Sequence, residues 1–319
     1  MGKFTILYDE PHEAEWFRRL HPDFADADEE SITSASRRTE VQQVLAYDRP
    51  DIVLLDSGQP VLVVEETVEV PSGHNVGQRF ARLAAAAEAG IPVLYFGPYV
   101  AKKHGGETAG PRFMNVRLFH ALDAMTRATG TAVTTINWPV DSRCEVRRDH
   151  AKDQDVRQYI DLFLNSHYHD PSTTNESILA SRLHARLTEE RDAFVLEKIR
   201  RSSDYDVPPN SVEILAKREF LRRINASVDP FTSITSEILL YQVGMNNIRS
   251  DPYTGMGILY RYLYVSEYPQ RKLVFWFPNI STTEWRHAAS RPARKDVKLY
   301  KVAADGILFG NGYLKKSEL

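Results

Sequence analysis

The chain predicts an α/β fold in which a mixed sheet, flanked by helices, is followed by a large helical and then strand-rich region. Three observations predict it. The elements in the first half run helix, strand, strand, helix, strand, an order that places a hairpin inside an α/β core. The runs "DIVLLD" (51–56) and "QPVLVVEETVEV" (59–70) are apolar enough to be buried strands. From about residue 150 the pattern turns mostly helical, and from 258 it is rich in strand-like runs.

Taken in order, "KFTILY" (3–8) reads as a short strand, "EAEWFRRL" (13–20) as a helix and "DFADADEES" (23–31) as an acidic loop. Val41, Val44 and Leu45 share helical spacing over about 34–46, and Pro50 ends that helix. After the hairpin, "NVGQRFARLAAAAEAG" (75–90) is an amphipathic helix with Val76, Phe80, Leu83 and Ala87 on one face and Gly90 as its stop. "IPVLYF" (91–96) is a buried strand, residues 113–129 a helix and "TAVTTINW" (131–138) a strand. Helices are expected near 152–166, 175–201, 211–224 and 234–243, and strands in "GILYRYLYV" (257–265), "KLVFWF" (272–277) and "KLYKVAADGILF" (298–309). A domain of 1–145 followed by one of 146–319 is the expected division, with "DYDVPPNS" (204–211) as the alternative boundary.

The totals exclude some functions. A chain of 319 residues with 42% hydrophobic side chains builds a substantial core, and no run of about 18 apolar residues indicates a membrane span. The start "MGKFTILYDEPHE" turns acidic too early for a secretion signal, so the cytoplasm is the expected compartment. Cys144 is the single cysteine, which leaves neither an internal disulfide nor a thiolate metal site. A net charge of -3 argues against charge-driven nucleic-acid binding but leaves room for site-specific binding by local clusters. "VRRDHAK" (146–152) is one; "WRHAASRPARKDVK" (285–298), with Arg286, Arg291, Arg294 and Lys295, is the most suggestive. In "SHYHD" (166–170), His167 and His169 lack a third ligand, and in "TGMGILYR" (254–261) the glycines form no nucleotide-binding pattern.

Carboxylates at the ends of buried strands need a reason, because buried charge is costly unless it is paired or bound to metal. Asp51 opens the first strand of the hairpin, and Glu65, Glu66 and Glu69 crowd the end of the second. A three-residue loop of Asp56, Ser57 and Gly58 would pair Leu55 with Gln59 and put Glu65, Thr67 and Glu69 on the face of Asp51, with Glu66 pointing away. A two-residue turn would exchange the roles of Glu65 and Glu66. Two acidic oxygen donors converging at a sheet end suit Mg²⁺, which takes one or two protein carboxylates. Such an ion polarises a phosphodiester and lowers the pKa of an attacking water.

At these residues the chain resembles the PD-(D/E)XK nucleases, most closely those of type II restriction endonucleases. The resemblance covers roughly residues 34–96: Pro50-Asp51, an apolar hairpin, then an acidic residue two places before a position that the family usually fills with lysine. It implies a sequence-specific, Mg²⁺-dependent endonuclease acting on double-stranded DNA, expected as a homodimer. Asp51 and Glu65, with Glu66 as the other candidate, would hold the ion. Glu40 in the preceding helix would support it, Gln78 and Arg79 would position the phosphate, and Arg82 with the cluster of Arg286, Arg291, Arg294 and Lys295 would contact DNA. Thr67 stands where the family has lysine, and this departure leaves open a nuclease-like binding module without catalysis. The strand that the family has before the Asp51 strand has no obvious counterpart, so "KFTILY" is the candidate for its place.

Overall fold

The computed structural model of the protein describes residues 3–71, 75–102, 110–201, 208–226, 228–243, 253–291 and 295–319. It has a mixed α/β architecture and divides into two compact units, Met1–Gly73 with Ala81–Lys198 and His74–Phe80 with Ile199–Leu319.

The first unit is built on a six-stranded sheet. Its strands are β1 (Phe4–Tyr8), β2 (Asp28–Ser31), β3 (Ile52–Asp56), β4 (Gln59–Glu66), β5 (Val93–Gly97) and β8 (Val133–Asn137), in the order β2-β1-β3-β4-β5-β8. β1, β3 and β4 are antiparallel neighbours, whereas β2 runs parallel to β1 and β5 and β8 run parallel to β4. A small hairpin of β6 (Val100–Lys102) and β7 (Pro111–Phe113) stands apart from the sheet.

Strand alternation sorts the side chains between two faces. Ile52, Leu54, Leu62, Val64, Leu94, Phe96 and Ile136 face a core completed by Trp16 and Phe17 of α1 (Pro11–Arg18) and by Val156, Tyr159, Ile160 and Phe163 of α6 (Gln154–His169). Val53, Leu55, Val63, Val93 and Tyr95 are buried on the other face. Arg82 of α4 (Asn75–Glu88) bonds Glu65 on that face, while α5 (Val116–Thr129) forms the crossover from β5 to β8. On α4 the expected stripe of Val76, Phe80, Leu83 and Ala87 is fully buried.

Two expectations for this unit change. The helix expected over 34–46 is two short helices, α2 (Ile32–Ala35) and α3 (Thr39–Gln42), because a three-residue apolar stripe is too little to sustain a longer one. Part of the expected acidic loop is β2, an edge strand whose charged residues are tolerated where one side faces water. α7 (Thr174–Leu179) and α8 (Arg182–Arg201) complete the helices near this unit.

The second unit has a five-stranded sheet in the order β13-β12-β11-β10-β9, formed by β9 (Val212–Ala216), β10 (Glu237–Gln242), β11 (Arg271–Phe277), β12 (Gly306–Phe309) and β13 (Gly312–Lys315). β10, β11 and β12 are parallel, and an antiparallel strand closes each edge. The helices expected near 211–224 and 234–243 are corrected to β9 followed by α9 (Lys217–Arg223), and to β10. Buried on both faces, "EILLYQ" is apolar without alternation and cannot be told from a helix by period.

The reverse error occurs at "GILYRYLYV", which is not a strand but part of α10 (Tyr253–Tyr264). Most of that helix is buried, so its apolar residues surround the axis instead of forming a stripe. Its glycines serve packing: a Cβ on Gly255 would stand 2.1 Å from the Gly77 carbonyl oxygen, and one on Gly257 would enter the Phe275 ring. α11 (Thr282–Ala289) and α12 (Lys295–Ala303) lie between β11 and β12, so the first half of "KLYKVAADGILF" is helix and only its end is strand. Among the described residues no helix is long and apolar enough to cross a membrane.

Candidate metal and phosphodiester site

The hairpin turn is tighter than the expected three-residue loop. Asp56 pairs with Gln59, leaving Ser57 and Gly58 as a two-residue turn with φ of 51° and 83°, the left-handed values of a primed hairpin turn. Taken alone, that turn would send Glu66 to the face of Asp51. A bulge between Leu54 and Leu55 then shifts the register by one, so that Ile52 pairs with Val64. The two one-residue shifts add to two, which restores the face, so Glu65 shares it with Asp51.

Their side chains meet at one cation. Arg82, from the second turn of α4, donates through Nη1 to Asp51 Oδ1 at 3.0 Å and to Glu65 Oε1 at 2.9 Å. Asp51 Oδ2 accepts from the Glu66 backbone N–H at 2.7 Å, and the Asp51 carbonyl accepts from the Asp9 N–H at 2.9 Å. Glu65 is fully buried and Asp51 is 5% exposed. Two carboxylates out of water at this depth require a positive charge, and Arg82 is one that they have.

Glu66 points to the opposite face and meets a different cation, one that the sequence reading did not single out. Lys152 Nζ is 3.7 Å from Glu66 and 3.0 Å from Asp153. It lies 4.3 Å from the ring centre of Trp138, 5.0 Å from Trp16 and 5.5 Å from Phe96. Phe96 is stacked between Trp16 and Trp138, and Trp16 Nε1 donates to Asp153 at 2.9 Å. Burial pushes the Glu66 carboxyl up to about 7 against the opposing pull of Lys152. Glu13, on α1, is likewise pushed up to about 7, chiefly by burial, with the charges of Asp9, Glu66 and Glu65 adding to the effect. The end of the sheet thus gathers Glu13, Asp51, Glu65 and Glu66. Glu13 could have been found only as an acidic residue at a helix start, and Lys152 only as part of "VRRDHAK".

The remaining predicted residues occupy varied settings. Thr67 is buried, and its hydroxyl turns back to its own chain, accepting from Glu69 N and donating to Glu69 O, each at 3.2 Å. Glu40 is exposed on α3. Gln78 and Arg79 are half-buried on α4, one turn before Arg82. Arg286 and Arg291 are exposed in the second unit, whereas Arg294 and the side chain of Lys295 lie outside the described residues, as does His74. His167 on α6 is buried, hydrogen-bonded to Asp56 at 3.0 Å and stacked on Phe163. Among the described residues no group of three His, Cys, Asp or Glu is arranged to hold a metal.

Asp51 and Glu65 nevertheless fit a hard divalent ion. One oxygen from each converges on a single cationic nitrogen, and a pair of carboxylates is as much as Mg²⁺ commonly takes from protein. No family model matches the chain, and no curated protein or solved structure matches it either.

Proposed function

We propose that the protein is a Mg²⁺-dependent endonuclease of the PD-(D/E)XK kind that hydrolyses phosphodiester bonds in double-stranded DNA. The observation that carries this reading is the convergence of buried Asp51 and Glu65, from adjacent antiparallel strands, on Arg82 Nη1 at the end of a mixed sheet. The antiparallel pairing of β1 with β3 supports "KFTILY" as the missing strand, and α4 joins β4 to its parallel neighbour β5.

Asp51 and Glu65 would hold the ion, which when bound polarises the phosphodiester and makes water a better nucleophile. Arg82 holds the two carboxylates oriented toward one point. Because arginine stays protonated, it stabilises negative charge and does not abstract a proton. Gln78 and Arg79 would orient a phosphate on this reading. The second unit, with Arg286 and Arg291, would take part in DNA recognition and dimerisation, since cutting both strands symmetrically calls for two active sites.

A second reading, a nuclease-like module that binds DNA or protein without cutting, is favoured by one observation. Thr67 replaces a lysine and spends its hydroxyl on Glu69. Incubating pure protein with plasmid in Mg²⁺, Mn²⁺ or EDTA separates the two. Nicking or linearisation that depends on the metal is the expected result. Intact plasmid under all conditions, together with retained DNA binding, would establish the second reading.

A further inference from the structure

The segment between β8 and α6 is a loop that exposes Arg143, Arg147 and Arg148 together with Asp141 and Asp149. It leaves the sheet at Trp138, whose N–H bonds the Gly97 carbonyl at the end of β5. Val140 and Val146 form an antiparallel bridge, and Arg147 N donates to Pro139 O at 2.9 Å. At its tip Asp141 Oδ1 accepts from the N–H groups of Arg143 and Glu145, at 2.8 and 2.9 Å, and Cys144 takes the left-handed conformation with φ of 60°. The loop is tied down at its side by Lys102, whose N–H bonds the Cys144 carbonyl and whose ammonium pairs with Glu145 at 2.9 Å. Its base is closed by Trp138 Nε1 donating to the Arg147 carbonyl at 2.7 Å.

Arg143 and Arg148 are exposed; among the described residues neither forms an ion pair, although the charge of Arg143 acts on Asp141, to which its N–H also donates. The next cation along, Lys152, turns inward onto Glu66. The loop thus leaves the end of β8 beside the end of β5 and meets the end of β4 through Lys152 and Glu66, at the sheet end that carries Asp51 and Glu65 but on its Glu66 face.

We infer that this loop, Pro139 to Asp153, is a phosphate-backbone-binding element, with Arg143 and Arg148 contacting phosphates that neighbour the one at the carboxylates. Its occupant is the backbone of a nucleic-acid duplex, whose charges repeat along a line, as a grip beside a phosphodiester site requires. Holding the loop by main-chain and aromatic contacts before binding lowers the ordering cost of the encounter. The inference rests on the hydrolytic reading for its choice of ligand.

The test measures binding of Asp51→Asn protein to a short DNA duplex in EDTA across a salt series. Adding Arg143→Ala and Arg148→Ala should weaken binding about tenfold or more. It should also reduce the steepness of log affinity against log salt by about 2, since each phosphate that is no longer neutralised removes about 0.9 from the slope. Arg143→Lys with Arg148→Lys should restore the slope. Arg182→Ala, at the exposed start of α8, should change neither quantity. Unchanged affinity and slope in the double alanine variant, with its melting temperature retained, would overturn the inference even if the unmodified protein cuts plasmid. A changed slope in a protein that never cuts would uphold the loop and remove the hydrolytic reading. Equal loss for Arg182→Ala, or binding to heparin with none to duplex DNA, would reduce the loop to a general polyanion surface and count against it.

Discussion

Glu65 and Glu66 are chain neighbours at the end of one strand, and the pleat sends them to opposite faces and to two kinds of cation. Glu65 shares an arginine with Asp51, a pairing of two acids on one fixed guanidinium whose charge no ordinary pH removes. Glu66 meets a lysine held by three aromatic rings, and its own carboxyl is pushed up to about 7. The first arrangement points one oxygen from each of two acids at a single place. The second leaves an acid poised to keep or lose its proton near neutrality. On the proposed reading, metal binding would fall to the Glu65 side and proton and charge balance to the Glu66 side.

Asp51→Ala is the most severe way to break this assignment. It should abolish metal-dependent cleavage while duplex binding stays within about tenfold, since the ion acts on the reacting phosphate. Full cleavage by that variant in a plasmid assay would end the hydrolytic mechanism. Next in size, Glu65→Gln should slow cleavage by about a hundredfold more than Glu66→Gln, the difference between a ligand and an outer partner. Single-turnover rates in the reverse order would move the metal to the Lys152 side.

Why the sequence led to Glu65 is instructive, because it did so through a wrong turn. Ser57 and Gly58 make a two-residue turn, and the correction comes from a bulge at Leu54 and Leu55, which no local pattern in "IVLLD" announces. The apolar runs and the α4 stripe were legible because half-buried strands and helices write their burial into the spacing of residues. α10 and β10 were not, because elements buried on all sides carry apolar residues everywhere. Lys152 was visible as a basic residue in a charged cluster, but its contact with Glu66 is tertiary. Only the packing of α1, β5 and the loop after β8 brings Trp16, Phe96 and Trp138 around it.

The two cations offer a finer test than the two acids. Arg82→Met leaves Asp51 and Glu65 facing each other without that counter-charge and should cost on the order of 3 kcal/mol of folding stability in EDTA. Much of this should return on adding Mg²⁺, because a ligand that binds only the folded state stabilises it. Lys152→Met should cost less at pH 6, where Glu66 can take up a proton in place of its partner, and more at pH 8. Thermal melts of both variants with and without metal decide the matter. A large Mg²⁺ rescue of Lys152→Met and none for Arg82→Met would exchange the roles of the two faces.

The smallest expected effect tests the proton side by itself. Glu13 is buried on α1 with its carboxyl raised from about 4.5 to about 7, so the folded state binds more protons than the unfolded state between those values. Stability associated with Glu13 is then fully present below about pH 4.5 and is lost as the pH rises through about 7, because above that the folded protein must bury a charge that the unfolded chain exposes to water. Glutamine keeps an oxygen to accept from the Glu10 N–H and so preserves the helix start while removing the titration. Glu13→Gln should therefore melt close to the unmodified protein at pH 5 and roughly 3 °C or more above it at pH 8, for a difference on the order of 1 to 2 kcal/mol. The gain should shrink when Glu66→Gln is already present, because the Glu66 charge is part of what raises Glu13. A melting difference that does not change between pH 5 and pH 8 would show that Glu13 is ionised throughout. The balance assigned to the Glu66 face would then have to be held by Lys152 alone.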